Sequence, residues 1–242
     1  METLPFKVIY QDHHIIAINK PANMPVQSDK TGDASVMHYL SSYFKHKHPD
    51  AEALFLELPH RIDRPTSGIV LIAQSPKALR ALNKQFQAQK VTKTYWAVVR
   101  QLPEPTSGTL IHHLVRSAKH NKAFTFTEAR KTSKLAKLHY KAIAQSDNYH
   151  LLEIEPETGR HHQIRAQLAA IGCPIKGDIK YGAKRTNKEG GIHLHAYSIS
   201  FEHPTTKRTV NITAAPPEND AIWQYFQQNK QMSDIAIPPN LF

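Results

Sequence analysis

A single cysteine, Cys173, stands in a chain of 242 residues. With no second thiol there can be no internal disulfide, which points to a reducing compartment and a cytoplasmic location. The segment around it, IGCPIKG, supplies no base to activate a thiolate, so Cys173 reads as a small apolar residue. Glycines number only nine, and neither G-x-G-x-x-G nor G-x-x-x-x-G-K-[ST] occurs among them. A dinucleotide or P-loop site is thereby unsupported, and no cofactor is expected. No apolar run approaches the roughly 18 residues of a spanning helix, and METLPFKVIY lacks the charged start and apolar core of a signal peptide, so no membrane partner is expected.

Acidic residues are also scarce. Thirty-one Lys plus Arg stand against 20 Asp plus Glu, a formal charge of +11 before any of the 16 histidines is protonated. Such a balance suits a polyanionic partner, nucleic acid before an anionic membrane face. The histidines do not fall into metal-site spacings. There is no H-E-x-x-H and no C-x-x-C pair, and the doublets His13-His14, His112-His113 and His161-His162 would diverge on any regular element. No metal site is expected.

Strand-like and helical stretches are mixed without a regular alternation. FKVIYQDHHIIAINKP predicts a hairpin from Phe6–Tyr10 and Ile15–Asn19, and a helix follows from about Ala34 to His46. GIVLIAQ is a continuous β-branched run fit for a buried strand. Ser75-Pro76 then opens a helix that runs to about Gln89. Further strands are predicted in VTKTYWAVVR, LHYKAIAQ, YHLLEIEP, GIHLHAYSISFEHP and RTVNITAAP. TGRHHQIRAQLAAIG switches to helical spacing, with Gly172 as its stop, and AIWQYFQQ is a short helix near the end. Between Pro103 and Lys137 the pattern is uneven and assigns no element. The class is α+β with one mixed sheet, expected as a single domain over residues 1–230 with a loosely held tail at 231–242.

Four segments carry more reactive side chains than a scaffold needs. HRIDRPTSG, His60 to Gly68, sets Asp63 between Arg61 and Arg64 at the mouth of a buried strand. Nearby positive charge favours the anion, which suits a nucleophile or base and equally suits a surface ion pair. In KTYWAVV, Tyr95 either offers a flat face to a base or packs in the core. In TGRHHQIRAQLAAIG, Arg165 sits beside apolar Ile164 and Leu168, where a permanent charge must either snorkel outward or meet a carboxylate. GDIKYG, Gly177 to Gly182, reads as a turn with basic and aromatic groups and an unspecific RNA contact.

Taken in order, YQDHHIIAINKP, HRIDRPTSG, KTYWAVV, TGRHHQIRAQLA, GDIKYG and LHA resemble the RluA family of pseudouridine synthases over roughly Val8 to Pro216. The resemblance implies that family's fold, a mixed, largely antiparallel sheet flanked by helices around a central active-site cleft. It implies Asp63 as the essential aspartate, Tyr95 as the tyrosine packed on the target uracil, and Arg165 as the arginine paired with the acid. Arg61 matches the side chain that fills the stack left by a flipped uridine, and Leu168 an apolar wall of the base pocket. Lys20 matches a lysine that supports the site; His60 and Thr66 are expected at the substrate site, and Arg64, Arg160 and Lys180 as RNA contacts. One departure is Asn23 in KPANMPV, where the family usually has glycine; Asn tolerates a left-handed backbone better than most residues.

The implied reaction breaks the C–N glycosidic bond of a uridine and rejoins the base through C5, with Asp63 acting as nucleophile or as base at the sugar. It needs a flipped base, an aromatic face and a gap filler, and no cofactor. The first motif begins within ten residues of Met1, so no N-terminal S4-type domain is expected, as in stand-alone members that act on tRNA. The expected partner is thus tRNA, with rRNA as the alternative, and the chain is expected to be a monomer. A non-catalytic RNA-binding protein would need the charge but not Asp63; a metal-dependent phosphoesterase would lose activity to a chelator.

Overall fold

A computed structural model describes residues 3–229 apart from 48 and 50–53; the predicted tail at 231–242 lies outside the described residues. The chain opens with the predicted hairpin, β1 (Lys7–Gln11) and β2 (Ile15–Lys20). Asp12 closes its turn, because its Oδ1 accepts from the backbone N–H of His14 at 2.7 Å and of Ile15 at 2.8 Å. Helix α1 (Val36–Lys47) follows and buries Val36, Leu40 and Phe44. Strand β3 (Ser67–Ala73) is buried along its whole length, as an unbroken apolar run requires when both faces of a sheet are covered. Helix α2 (Pro76–Gln87) starts as its sequence predicts, with Pro76 in the first turn and Ser75 accepting from the Ala78 N–H.

Strand β4 (Thr92–Val99) leads into β5 (Ser107–Ser117), β6 (Lys122–Phe126), β7 (Lys134–Gln145) and β8 (His150–Pro156). Helix α3 (Gln163–Ala170), a single 3-10 turn at Ile179–Tyr181, β9 (Leu194–Glu202), β10 (Thr209–Thr213) and α4 (Ala221–Gln228) complete the order. The tract from Pro103 to Lys137, unassigned in the sequence, is therefore strand for most of its length. Its inner face is marked by small residues, with Ala123 and Ala136 packed beside Leu114 against Ala166 and Tyr181, so the alternation that signals a strand is diluted.

The strands form one sheet in the order β1-β2-β3-β9-β4-β8-β7-β5-β6, with β10 branching from β9. Every pairing is antiparallel except β3 with β9. On one face α1 packs against Ile16, Ile18, Val70 and Ile72, and α3 packs against Ala97, Val99, Leu152 and Ile154. On the other, α2 covers Ile15, Ala17, Ile69 and Leu71, and α4 covers Trp96, Val98 and Leu151. Neighbouring residues on β2, β3 and β4 thus feed opposite faces, as the period of two demands. Cys173 is buried in the α3 cluster, the apolar role read for it. Between the α1 and α3 clusters, on the same face of the sheet, Tyr95 alone among the described residues packs against both.

Candidate active site

Asp63 is placed by the way its loop enters β3. The Thr66 N–H donates to the Asp63 carbonyl at 3.0 Å, which tightens the loop into a turn. Directly after it, Ser67 and Gly68 pair with His195 and Ala196 of β9. Gly68 has φ +109°, and a Cβ there would overlap the Ala196 backbone, so this closest approach of the two strands requires glycine. The Ser67 hydroxyl meets His195 Nδ1 at 2.9 Å while His195 Nε2 faces the Ala214 carbonyl at 3.0 Å. The carbonyl can only accept, so Nε2 carries the proton, Nδ1 accepts from Ser67, and burial pushes the imidazole down to about 4. The mouth of β3 is pinned, and Asp63 projects from it half-buried.

Arg165 answers the question its setting raised. Its Nη1 donates to Asp63 Oδ2 at 3.0 Å, while Nε and Nη2 grip Asp178 Oδ2 and Oδ1 at 2.7 and 2.9 Å. The ring of Tyr181 lies 5.1 Å from the guanidinium carbon. Burial alone would push this guanidinium down; the hydrogen bonds and charge of Asp178, then those of Asp63, hold it above its ordinary value. One side-chain fork therefore ties the loop acid to an acid on the 3-10 turn, and Asp63 Oδ1 has no protein donor among the described residues.

Behind this pair, His162 brings Nε2 to 3.7 Å from Asp63 Oδ2 and Nδ1 to 3.0 Å from the Tyr181 hydroxyl. That hydroxyl also accepts from the Ala123 N–H at 2.7 Å, which fixes the Tyr181 side chain beside the imidazole. Burial, then Arg165, pushes His162 down to about 2, and it stands neutral. Its backbone is left-handed, φ +53°. For that reason the 161–162 doublet does not diverge as a regular element would make it: the two rings stack at 3.8 Å, 18° from parallel.

Asp63 opens onto a cavity of about 100 Å³ walled by Arg61, Thr66, Tyr95, Ile164 and Leu194. Tyr95 is largely enclosed, and burial with the Asp63 charge pushes its phenol up, so it keeps its proton. The Thr66 hydroxyl is buried without a hydrogen-bond partner. Arg61 is exposed and, among the described residues, makes no hydrogen bond or ion pair. Asp63, Tyr95, Arg165, Arg61 and Thr66, drawn from three separated sequence segments, thus converge, and Arg160 reaches the rim with its Nε on the Leu135 carbonyl at 3.0 Å.

The remaining expected residues lie away from the cavity lining. Leu168 is wholly buried in the α3 cluster and does not wall the cavity; Ile164, one helical turn nearer the site, takes that place because the cavity lies at the N-terminal end of α3. His60 stands outside the cavity, its Nε2 accepting from the Leu71 N–H at 2.9 Å and its ring stacked on Phe86. Lys20 is fully buried behind the loop and donates to the carbonyls of Pro21, Met24 and Arg64 at 2.8, 2.8 and 3.0 Å. Arg64 is not free for phosphate: it donates to the Asn23 carbonyl and Thr31 hydroxyl at 2.9 Å each and pairs with Asp33. Asn23 itself adopts φ +67°, the left-handed backbone its residue type tolerates. Lys180 is exposed and donates to the Asn121 carbonyl at 3.1 Å.

Asp178, Tyr181 and His162, which hold Arg165 and Asp63, were missed. Their signals were faint: GDIKYG looked like an ordinary turn. A guanidinium has five donors, however, and one carboxylate could not have satisfied Arg165 on a buried helix face; a second acid was implied.

The chain matches the RNA pseudouridylate synthase family over residues 14–170. It is 32% identical over 251 residues to the tRNA pseudouridine synthase C of Yersinia pestis, covering 95% of this chain and 93% of the relative. Against the protein of the same name from Pectobacterium carotovorum subsp. carotovorum it is 32% identical over 239 residues, 90% of this chain but only 60% of the relative's length. The ribosomal large subunit pseudouridine synthase C of Vibrio vulnificus is 33% identical over 216 residues, 86% of this chain and 64% of that protein. In architecture the chain is similar to human RNA pseudouridylate synthase domain containing 1, with a TM-score of 0.73 at 21% identity, covering 96% of this chain and 98% of that one. With the family matched over more than half of its residues, and the motifs around Asp63, Tyr95 and Arg165 brought to one cavity, this chain belongs to the RNA pseudouridylate synthase family, in its RluA-type branch.

Proposed function

We propose that the chain converts specific uridines of tRNA to pseudouridine, with Asp63 Oδ1 as the reacting oxygen. The observation that carries this reading is the division of labour on one carboxylate: Oδ2 is fixed by Arg165, itself held by Asp178, while Oδ1 is left to the cavity. A flipped uridine seated against Tyr95 would bring its sugar to that oxygen. Attack of Oδ1 on the sugar carbon expels the base through N1; the base turns, C5 bonds to the same carbon, the carboxylate leaves, and the C5 proton is lost as N1 gains one. If Oδ1 instead removes a sugar proton, the same oxygen reacts and returns it. Tyr95, protonated at rest, offers its ring to the base and passes a proton on rather than storing one. Arg61, exposed and unpaired, is suited to fill the vacated stack.

The tRNA assignment is supported by the near full-length similarity to the Yersinia pestis relative; rRNA is the alternative, favoured by the similarity to the Vibrio vulnificus relative. Two experiments test the proposal. An Asp63→Asn variant is expected to bind RNA and convert none of it; conversion at the wild-type rate defeats the assignment of the acid. Mapping pseudouridine in total RNA from cells with and without the gene is expected to show loss at a tRNA position, and loss confined to rRNA replaces the substrate.

A further inference from the structure

We propose that a second hollow, adjoining the uridine cavity, binds the phosphate flanking the target uridine, and that Lys93 is its ligand. Lys93 and Tyr95 stand two apart on β4, on either side of a register irregularity between Thr94 and Tyr95. Both wall the cavity that holds Asp63, and both wall an outer hollow of about 460 Å³ floored by the stacked pair His60 and Phe86. Arg61, Gly159 and Arg160 are likewise common to the two walls, so the spaces adjoin.

Lys93 is the anomaly there. It is half-buried, its ammonium pushed down by desolvation, yet among the described residues it has no hydrogen bond, ion pair or ring contact. The buried cations nearby are satisfied: Arg165 by two carboxylates and Lys20 by three carbonyls. A partly desolvated charge without a partner is unfavourable in the free protein and favours whatever anion enters. The protein does not supply one. Glu157 at the outer rim is engaged by Lys137 at 2.8 Å and His139 at 2.6 Å. His60 adds no charge, because burial, with Lys93 beside it, pushes its imidazole down to about 3.

A nucleotide bound through its base in the inner cavity still carries a phosphodiester on each side of its ribose, and the adjoining hollow offers one of them a cation. This inference rests on the reading of the inner cavity as the uridine site. The ligand chemistry is a phosphate monoanion on a ribose, held by a point charge with the free nitrogens of Arg160 at the rim.

The test compares full-length wild type with Lys93→Met and Lys93→Arg variants, titrated with uridine and with uridine 3′,5′-bisphosphate and followed by NMR, alongside conversion of total RNA from cells lacking the gene. Wild type is expected to bind the bisphosphate at least tenfold tighter than uridine; the Met variant should reduce that ratio to about threefold or less, and the Arg variant should restore most of it. A ratio unchanged by Lys93→Met, or equally lost in Lys93→Arg, overturns the assignment. Wild type that converts RNA but prefers the bisphosphate no more than uridine overturns the subsite alone, whereas wild type that converts no uridine removes the reading on which it rests.

Discussion

Arg165 serves two acids at once, and the two are unequal. Asp178 takes two of its nitrogens and is 1% exposed, whereas Asp63 takes one and faces the cavity at 22%. Asp178 is therefore the anchor and Asp63 the group being aimed. Replacing Asp178 with Asn breaks a buried charge pair, which costs about 3 kcal/mol or more, and leaves the guanidinium free to turn; conversion is expected to fall more than tenfold with RNA binding retained, read by kinetics beside a binding titration. Lys20 gives a contrasting case. Burial pushes its ammonium down to about 7, against the raising effect of Asp63, yet three carbonyls at hydrogen-bond distance match its three protons. Lys20→Met strands those acceptors, and at about 1 kcal/mol or more for each the loss in urea unfolding should approach 3 kcal/mol. Of these residues Asp63 and Arg165 were plain in the sequence, because their motifs are long, and Lys20 followed from the resemblance. Asp178 was hidden because its partner lies 13 residues away, across the turn that follows α3; nothing local distinguishes it from a turn aspartate.

Among the elements, the helices were legible where caps and spacing agree. Ser75-Pro76 gave α2 its start, and β3 announced itself by an unbroken apolar run. The β5–β6 hairpin was not legible, since β5 buries Leu110 and Leu114 four residues apart and β6 buries a single small residue, Ala123. The seam between β3 and β9 is where one atom decides the geometry. Gly68→Ala meets the Ala196 backbone in a left-handed conformation and is expected to cost roughly 3 kcal/mol, lowering the melting temperature and moving Asp63 away from Arg165, so that conversion falls as well. At the first hairpin, burial would raise the Asp12 carboxyl, but the N–H groups of His14 and Ile15, the Tyr10 hydroxyl and the His203 ring hold it down to about 2. A depressed carboxyl stabilises the fold above its unfolded value of 3.8 and loses that contribution as pH falls through about 2. Unfolding followed from pH 5 to pH 2 should show a loss of about 2 kcal/mol from this group, absent in Asp12→Asn; equal slopes in the two proteins would refute the assignment.

The whole molecule carries a net charge of +11, and among its described residues no helix is long and apolar enough to cross a membrane. If that charge holds RNA by its phosphates, several are neutralised together, and affinity for bulk tRNA should weaken at least about a hundredfold between 50 and 200 mM salt; a flat response would mean that charge does not drive binding. The class was legible at this scale, as was the mixture of strand and helix. The strand order was not, because pairing between distant segments leaves no local mark. That order governs how the molecule comes into being. Strand β9, nearly last in the chain, lies between β3 and β4 and pairs with both. Asp63 and Tyr95 leave the ribosome early, but the strand that seats them side by side emerges some hundred residues after Tyr95. No nascent fragment ending before Leu194 holds the finished site, so catalytic competence waits on the emergence of β9.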